Sequence, residues 1–331
     1  MRLSGLVVLA TAVALAGCGS SDEGGQAESD LPTDVGPLPT GSITWAIDET
    51  IHVGDHEIAV RAPVRAMVGA RGRIYYLAGR SDAVWVTDGG RNRRTHYETS
   101  ELRTSPDGRY LGFLDHSHGR PWSTVVVDLE AGEVVVDDDA GMGGPDDDLA
   151  DLYEDAQPRV LGFEGSELYV QAASGNEVLS WDAATGERTS HGSDFFFRTP
   201  DPGGGRLLPA LVKRGRLVVP RDPYRSTQWG HQSPDGAVTL QPTGDGTRVY
   251  AVESGEELPV DLGGRHFLLG GWTDAGTAYG TAFDGSPFGR PQRLVSCRLT
   301  LEEQQCRVLR AVRPPRHELV LFPTGSAAQD Y

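Results

Sequence analysis

The residues best equipped for chemistry are carboxylates crowded over 137–155: Asp137, Asp138 and Asp139, then Asp146, Asp147 and Asp148, then Asp151, Glu154 and Asp155, spaced by Gly141, Gly143 and Gly144. Oxygen-rich loops of this kind hold calcium, a hard cation that takes oxygen ligands. The candidate ligands are Asp146, Asp148, Asp151 and Glu154, but their spacing fails the EF-hand pattern. If Asp146 opened an EF-hand loop, Asp151 would stand where that loop needs its glycine. Blocks of like charge are ordinarily solvated, so the stretch reads as an acidic surface loop with a short helix near 149–153, calcium being the one cofactor it would admit. His116 and His118 share a side of an extended segment, but with Asp115 they supply fewer ligands than a closed transition-metal site requires. Trp122, Arg225, Trp229 and His231 fall in expected loops and are candidates for contact with a ligand or partner, tryptophan being enriched at binding hot spots. The run Phe195, Phe196, Phe197 reads instead as packing.

Placing these groups is the work of short strands and tight turns. Ser105, Pro106, Asp107 and Gly108 form a turn with a mechanism: Pro106 presets φ, Asp107 bonds its own backbone and Gly108 accepts positive φ. Aromatic and branched strands follow at 109–114, 123–128 and 133–136, the last two joined by a turn at 129–132. The first turn returns at Ser233, Pro234, Asp235 and Gly236, with an insertion at 199–203 that marks a blade near Gly204, and more loosely around Gly72, Gly165 and Gly276. The step from Gly72 to Gly108 is 36 residues and that from Gly236 to Gly276 is 40, close to the roughly 40 to 50 of propeller blades.

The segment from Val178 through Trp181, Asp182 and Gly186 to Glu187 resembles the strand-and-turn signature of WD-repeat propellers. Ser105 through Arg109 resembles the repeat of TolB-type propellers. The resemblance implies an all-β chain of four-stranded antiparallel blades. Counting one blade shared by the two chain termini with those near the six glycines gives seven; the piece at 206–219 is the least blade-like, and without it the count is six. Such folds host many activities, so the resemblance implies no single function.

The start of the chain carries an address. A basic residue, Arg2, precedes an apolar run at 6–15, too short to span a bilayer, which takes about 20 residues. It ends in Leu15, Ala16, Gly17 and Cys18, which resembles a bacterial lipobox. That resemblance implies a signal peptide over 1–17, diacylglycerol on the Cys18 thiol, palmitate-type acylation, and a protein held at the cell membrane facing the extracytoplasmic side. Residues 18–42 are rich in Ser, Gly, Asp, Glu and Pro and are expected to form a flexible linker, leaving 43–331 as the propeller domain.

Export places Cys297 and Cys306 in an oxidising compartment. If a four-residue loop at 300–303 joins two strands, Leu299 faces Gln304 and Cys297 faces Cys306, close enough for a disulfide.

The formal net charge of −17 argues against nucleic acid as a partner, because phosphate contacts need a basic face. No G-x-S-x-G nucleophile elbow occurs. The segment 182–187 has a quinoprotein-like turn but is followed by Arg188, Thr189, Ser190 and His191 rather than a tryptophan. Val86 breaks a sialidase-like box at 86–90. The expectation is a non-catalytic, membrane-anchored binding or scaffolding propeller with a protein or peptide partner. A glycan-, calcium- or small-molecule-binding propeller, or a divergent propeller enzyme, is the alternative.

Overall fold

The structure, a computed structural model, describes residues 31, 38, 42–144, 147–175, 177–192, 195, 197, 200, 203–221, 228–316 and 318–325. Its strands build six antiparallel blades. Blade 1 combines β1 (Thr44–Ile47), β2 (Thr50–Val53) and β3 (His56–Ala59) with the C-terminal segment. Ala46 and Leu321 exchange both backbone hydrogen bonds, at 2.8 and 2.9 Å. Blade 2 is β4 (Val64–Ala70), β5 (Arg73–Ala78), β6 (Ala83–Thr87) and β7 (Asn92–Glu98). Blade 3 is β8 (Arg103–Thr104), β9 (Tyr110–Asp115), β10 (Ser123–Asp128) and β11 (Glu133–Asp138). Helix α1 (Leu149–Asp155) leads into blade 4, which is β12 (Arg159–Glu164), β13 (Glu167–Gln171), β14 (Val178–Asp182) and β15 (Arg188–His191).

Blade 5 is irregular. Its first strand, β16 (Arg206–Pro209), is followed by a separate hairpin, β17 (Leu211–Lys213) and β18 (Arg216–Val218). Then β19 (Trp229–Gln232) pairs with β16 and leads to β20 (Val238–Thr243), β21 (Gly246–Ala251) and β22 (Glu257–Leu258), five strands in one sheet. Blade 6 is β23 (His266–Asp274), β24 (Thr277–Phe283), β25 (Gln292–Leu299) and β26 (Gln304–Val312).

The expected seven blades are therefore six. The segment after Gly204 opens no blade of its own: β16 joins the sheet that the Gly236 turn belongs to, and among the described residues β17 and β18 form a two-stranded sheet of their own. The 32 residues from Gly204 to Gly236 are too few for a four-stranded unit once a hairpin is spent outside the sheet. Shared-terminus closure appears as expected, since an open ring would leave strand edges unpaired. Beyond the Ala46–Leu321 pair, Gly325 bridges two further blades: its N–H donates to Met67 O at 2.9 Å and its carbonyl accepts from Leu102 N at 2.7 Å.

Blade faces pack on their neighbours, which is why strands such as β9 are buried on both sides and read as apolar runs rather than alternation. Val68, Tyr75 and Leu77 meet Leu111, Phe113 and Val125 between blades 2 and 3. Phe163, Leu168 and Trp181 meet Tyr110, Leu114 and Val126 between blades 3 and 4. Trp181 Nε1 also donates to Asp138 of β11 at 3.0 Å. Two residues of the expected linker belong to this packing: Leu31 is buried in the blade 2–3 cluster and Leu38 in the blade 1–2 cluster, with Leu38 N donating to Gly72 O at 2.6 Å.

Cys297 and Cys306 are bridged, with Leu299 facing Gln304 in the register read from the loop length. Closing so short a loop constrains the unfolded chain by about 2.5 kcal/mol in the chain-entropy account.

Candidate functional site

The strand order brings the turns that open successive blades to one end of the ring. There they surround an axial cavity of about 570 Å³. The β4–β5 turn supplies Gly69, Arg71 and Arg73, and the β8–β9 turn supplies Arg103 and Asp107. Thr44 and Val53 come from blade 1, Phe163 from blade 4, Gly204 from the approach to blade 5, Tyr279 from blade 6 and Thr324 from the C-terminal segment. Every blade or its connecting turn thus contributes to one wall.

The local chemistry of these turns follows from sequence. Arg71 and Gly72 both have positive φ, at 51° and 70°, as a two-residue turn of the hairpin-favouring kind demands. The strained Arg71 backbone directs its guanidinium to Glu130, 2.8 Å away. In the β8–β9 turn, Ser105 Oγ donates to Asp107 Oδ1 at 2.6 Å, and Asp107 also accepts from Arg109 N at 3.0 Å. The Ser105 bond, followed by the backbone one, outweighs desolvation and holds the Asp107 carboxyl below its ordinary value.

Three guanidinium-bearing residues line the cavity against one carboxylate, in a chain whose net charge is −17. Arg73 is buried. Burial pulls the Arg103 guanidinium below its ordinary value, opposed by Glu101. Arg103 donates to the carbonyls of Leu102 and Thr324 at 3.1 and 3.2 Å and pairs with Glu101 at 3.2 Å. It therefore ties the cavity floor to the ring closure. The wall offers guanidinium, hydroxyl and backbone groups, with Arg71 held by Glu130, Arg103 by Glu101 and Asp107 within its own turn; an entering anionic group would meet the guanidiniums as already positioned donors.

A second polar cluster lies on blade 4. Ser180 Oγ, fully buried, donates to Glu167 Oε1 at 2.6 Å and lies 2.8 Å from His191 Nε2. Tyr169 Oη donates to Glu167 Oε2 at 2.7 Å. Phe195 stacks on both His191 and Tyr169, with centroids 4.3 and 5.4 Å apart, and Phe197 lies 4.7 Å from Tyr169. Nucleophile, base and acid types are all present, but the serine stands between the carboxylate and the imidazole. In a hydrolytic triad the imidazole stands between the other two. With its serine sealed beneath aromatic rings, the cluster is a packing network on this blade. It also puts Phe195 and Phe197 in the packing role read from sequence.

The residues singled out in the sequence are scattered. Cys18, Asp146 and Arg225 lie outside the described residues. Asp148 caps α1, its Oδ1 accepting from Ala150 N and Asp151 N at 3.1 and 3.4 Å. Asp147 accepts from Gly144 N at 2.7 Å. Asp151 and Glu154 are exposed on α1, and among the described residues no three His, Cys, Asp or Glu side chains gather as a metal-binding group. Trp122 packs edge-on to Tyr153 and His116, centroids 4.9 and 5.3 Å away, pinning α1 to blade 3. Trp229 and His231 belong to a strand rather than a loop, facing Pro209 and Leu207 across the sheet. None of these residues lines the axial cavity.

No protein-family model matches this sequence, and comparison with curated proteins returns no match. Solved structures similar to it are propellers. The WD40 repeats of RRP9 are 12% identical over 83% of this chain and 86% of that one, with a TM-score of 0.41. A TolB-type protein of Agrobacterium tumefaciens is 10% identical over 84% and 92%, at 0.39. The propeller domain of a Pyrococcus furiosus protease is 12% identical over 81% and 90%, at 0.43. These are loose likenesses of fold; the six-blade assignment rests on the strand pairing itself.

Proposed function

We propose that this protein is a non-catalytic binding propeller, tethered through lipid on Cys18 to the extracytoplasmic side of the membrane, which takes an acidic peptide segment of a partner into its axial mouth. The observation that carries this reading is the cavity to which every blade contributes, lined by Arg71, Arg73 and Arg103 against Asp107 alone. A site of this size, concave and with few convergent polar groups, is where binding is expected on general grounds. A low-dielectric wall focuses its field on an entering anion.

The test is titration with a labelled oligoglutamate peptide, with oligoglutamine as the neutral control and citrate as a small anion. Gly69 lines the mouth and is exposed, and a side chain there first meets Ile74 Cδ1 at an ordinary 3.6 Å. Gly69→Phe is expected to abolish binding without lowering the unfolding midpoint, and Arg73→Gln to weaken it at least tenfold. Selective, salt-sensitive binding of oligoglutamate supports the proposal. Binding of citrate alone would replace the peptide by a small anion, and binding that ignores Gly69→Phe would move the site elsewhere.

A further inference from the structure

The outer half of blade 6, with the chain that follows it, reverses the charge of the protein. Residues 286–316 hold seven arginines against Glu302 and Glu303, a net of +5 in a chain of −17, so the remainder carries −22. Arg293, Arg298 and Arg310 are partly answered by Asp284, Asp274 and Glu57. Arg307, Arg313 and Arg316 are exposed and make no ion pair among the described residues.

The outer strand explains their exposure. Among the described residues β26 pairs only with β25, and 307–311 are exposed without alternation, so both faces of this stretch reach solvent. A bulge sets Val308 opposite Val295 and Arg310 opposite Leu294, leaving Leu309 as the extra residue. Val308 is 56% exposed and Leu309 38%. The turn carrying Phe288, itself 49% exposed, comes up against the chain just beyond β26: a side chain added at Gly289 would lie 3.3 Å from Arg316 Cα. Unpaired arginines and bare apolar side chains therefore follow one another along the outer strand and the chain beyond it, with Asp261 and Asp284 beside Val308.

We infer that the blade 6 rim is a docking surface for an anionic phospholipid bilayer. Charge complementarity favours a flat surface over a nucleic acid. A polyanion that follows a groove or wraps the ring would meet the −22 elsewhere, whereas a bilayer touches only the rim. The exposed Phe288, Val308 and Leu309 can enter the headgroup boundary, as apolar residues flanked by arginine do at membrane interfaces. Thirteen residues separate Cys18 from the buried Leu31, a reach of at most about 45 Å, so a lipid at Cys18 would keep the ring within range of the same bilayer. Docking on the rim would leave the axial cavity open to the aqueous side. The inference stands apart from the peptide-binding reading, sharing with it only the lipid at Cys18.

The experiment is sedimentation of the non-lipidated chain from residue 19 onward, which keeps every described residue, with vesicles of phosphatidylcholine alone or mixed with phosphatidylglycerol. The chain is expected to pellet with the anionic vesicles at low salt and to be released as salt rises. Each surface arginine is worth roughly fivefold, so Arg307→Glu/Arg313→Glu/Arg316→Glu should lower partitioning at least a hundredfold. The matching triple lysine variant should keep it. All three sites are exposed, so unchanged unfolding midpoints confirm that the variants fold. Failure to bind anionic vesicles, equal binding by the glutamate variant, or binding of polyphosphate or RNA in preference to vesicles would each overturn the inference.

Discussion

Blades 3 and 5 contain the same turn and are otherwise built differently. In blade 3, Ser105 Oγ donates to Asp107 and accepts from Tyr110 N, while Gly108 N donates to Ser105 O. In blade 5, Ser233 Oγ donates to Asp235 and accepts from Val238 N, while Gly236 N donates to Ser233 O. The next inter-strand bond is also duplicated: Leu129 N donates to Arg109 O at 2.8 Å, and Val252 N donates to Ala237 O at 2.9 Å. What differs is the side chains around that frame. Arg109 reaches Asp128 at 2.6 Å in blade 3, and the corresponding positions in blade 5 hold Ala237 and Ala251. A local motif thus fixes its turn regardless of neighbours, while the rest of the blade is stabilised by whatever the flanking positions supply.

The largest effect expected from this contrast is at Asp128. Its carboxylate is nearly buried and accepts from the Arg109 guanidinium and from the N–H groups of Glu130 and Ala131 at 2.8 and 3.2 Å. Asp128→Ala strips all of these partners at once and should cost about 3 kcal/mol, lowering the unfolding midpoint by roughly 6 °C or more. Blade 5 has no counterpart to lose. A loss below about 1 kcal/mol would mean that blade 3 does not depend on its side-chain frame, and the contrast would fail.

Next comes the hairpin that makes blade 5 irregular. Leu217 of β18 is buried with Leu208, Ala210 and Tyr250, so Leu217→Ala should cost about 2 kcal/mol as a core truncation. Denaturant unfolding that shows almost no change would reduce the hairpin to an appendage on an otherwise ordinary blade.

What the sequence made legible divides along the same line. The turn at Ser105 and its copy at Ser233 were readable because each is complete within a few residues. The Cys297–Cys306 register was readable because a loop length sets it. The blade count was not: Arg206–Pro209 looks like a blade opening, and its partner strand β19 begins only at Trp229, beyond a hairpin that among the described residues joins no blade sheet. The axial cavity was hidden for a related reason. Its wall joins Thr44, Arg73, Arg103, Phe163, Tyr279 and Thr324, which meet only when the ring closes. The available signal was positional, since Arg71, Arg73, Arg103 and Asp107 all flank turns already aligned as blade openings. Trp122, Trp229 and His231 drew attention by type; Trp122 packs on Tyr153 and His116, and Trp229 and His231 lie in β19, away from the cavity wall.

The duplicated turn can itself be tested for equivalence. Ser105→Ala and Ser233→Ala each leave a backbone N–H, of Tyr110 or Val238, without its hydroxyl acceptor, although each serine's backbone carbonyl and N–H remain bonded. Each should cost about 1 to 2 kcal/mol, and the two costs should agree within a few tenths. Equal costs would show that the turn carries its energy with it. A Ser105→Ala loss well above that of Ser233→Ala would show that the Arg109–Asp128 frame is coupled to the turn.

The smallest effect is a difference in acid sensitivity. Burial alone would raise the Asp128 carboxyl, but the Arg109 guanidinium and the Glu130 and Ala131 N–H groups outweigh it and hold it below its ordinary value. A carboxyl lower in the folded than in the unfolded state contributes stability that is fully present above the unfolded value, near 3.9. That contribution is lost as pH falls through the folded value. The gap in unfolding midpoint between the wild type and Asp128→Asn should therefore be constant from neutral pH down to about pH 5 and narrow below about pH 4. Asp107 and Asp138, also held low by their bonds, titrate alike in both proteins and cancel in the comparison. If the gap instead stays constant into the acid range, Asp128 stabilises blade 3 as a hydrogen-bond acceptor of fixed geometry rather than through its charge. Blade 5, which has no carboxylate at that position, would then differ from it in shape and not in electrostatics.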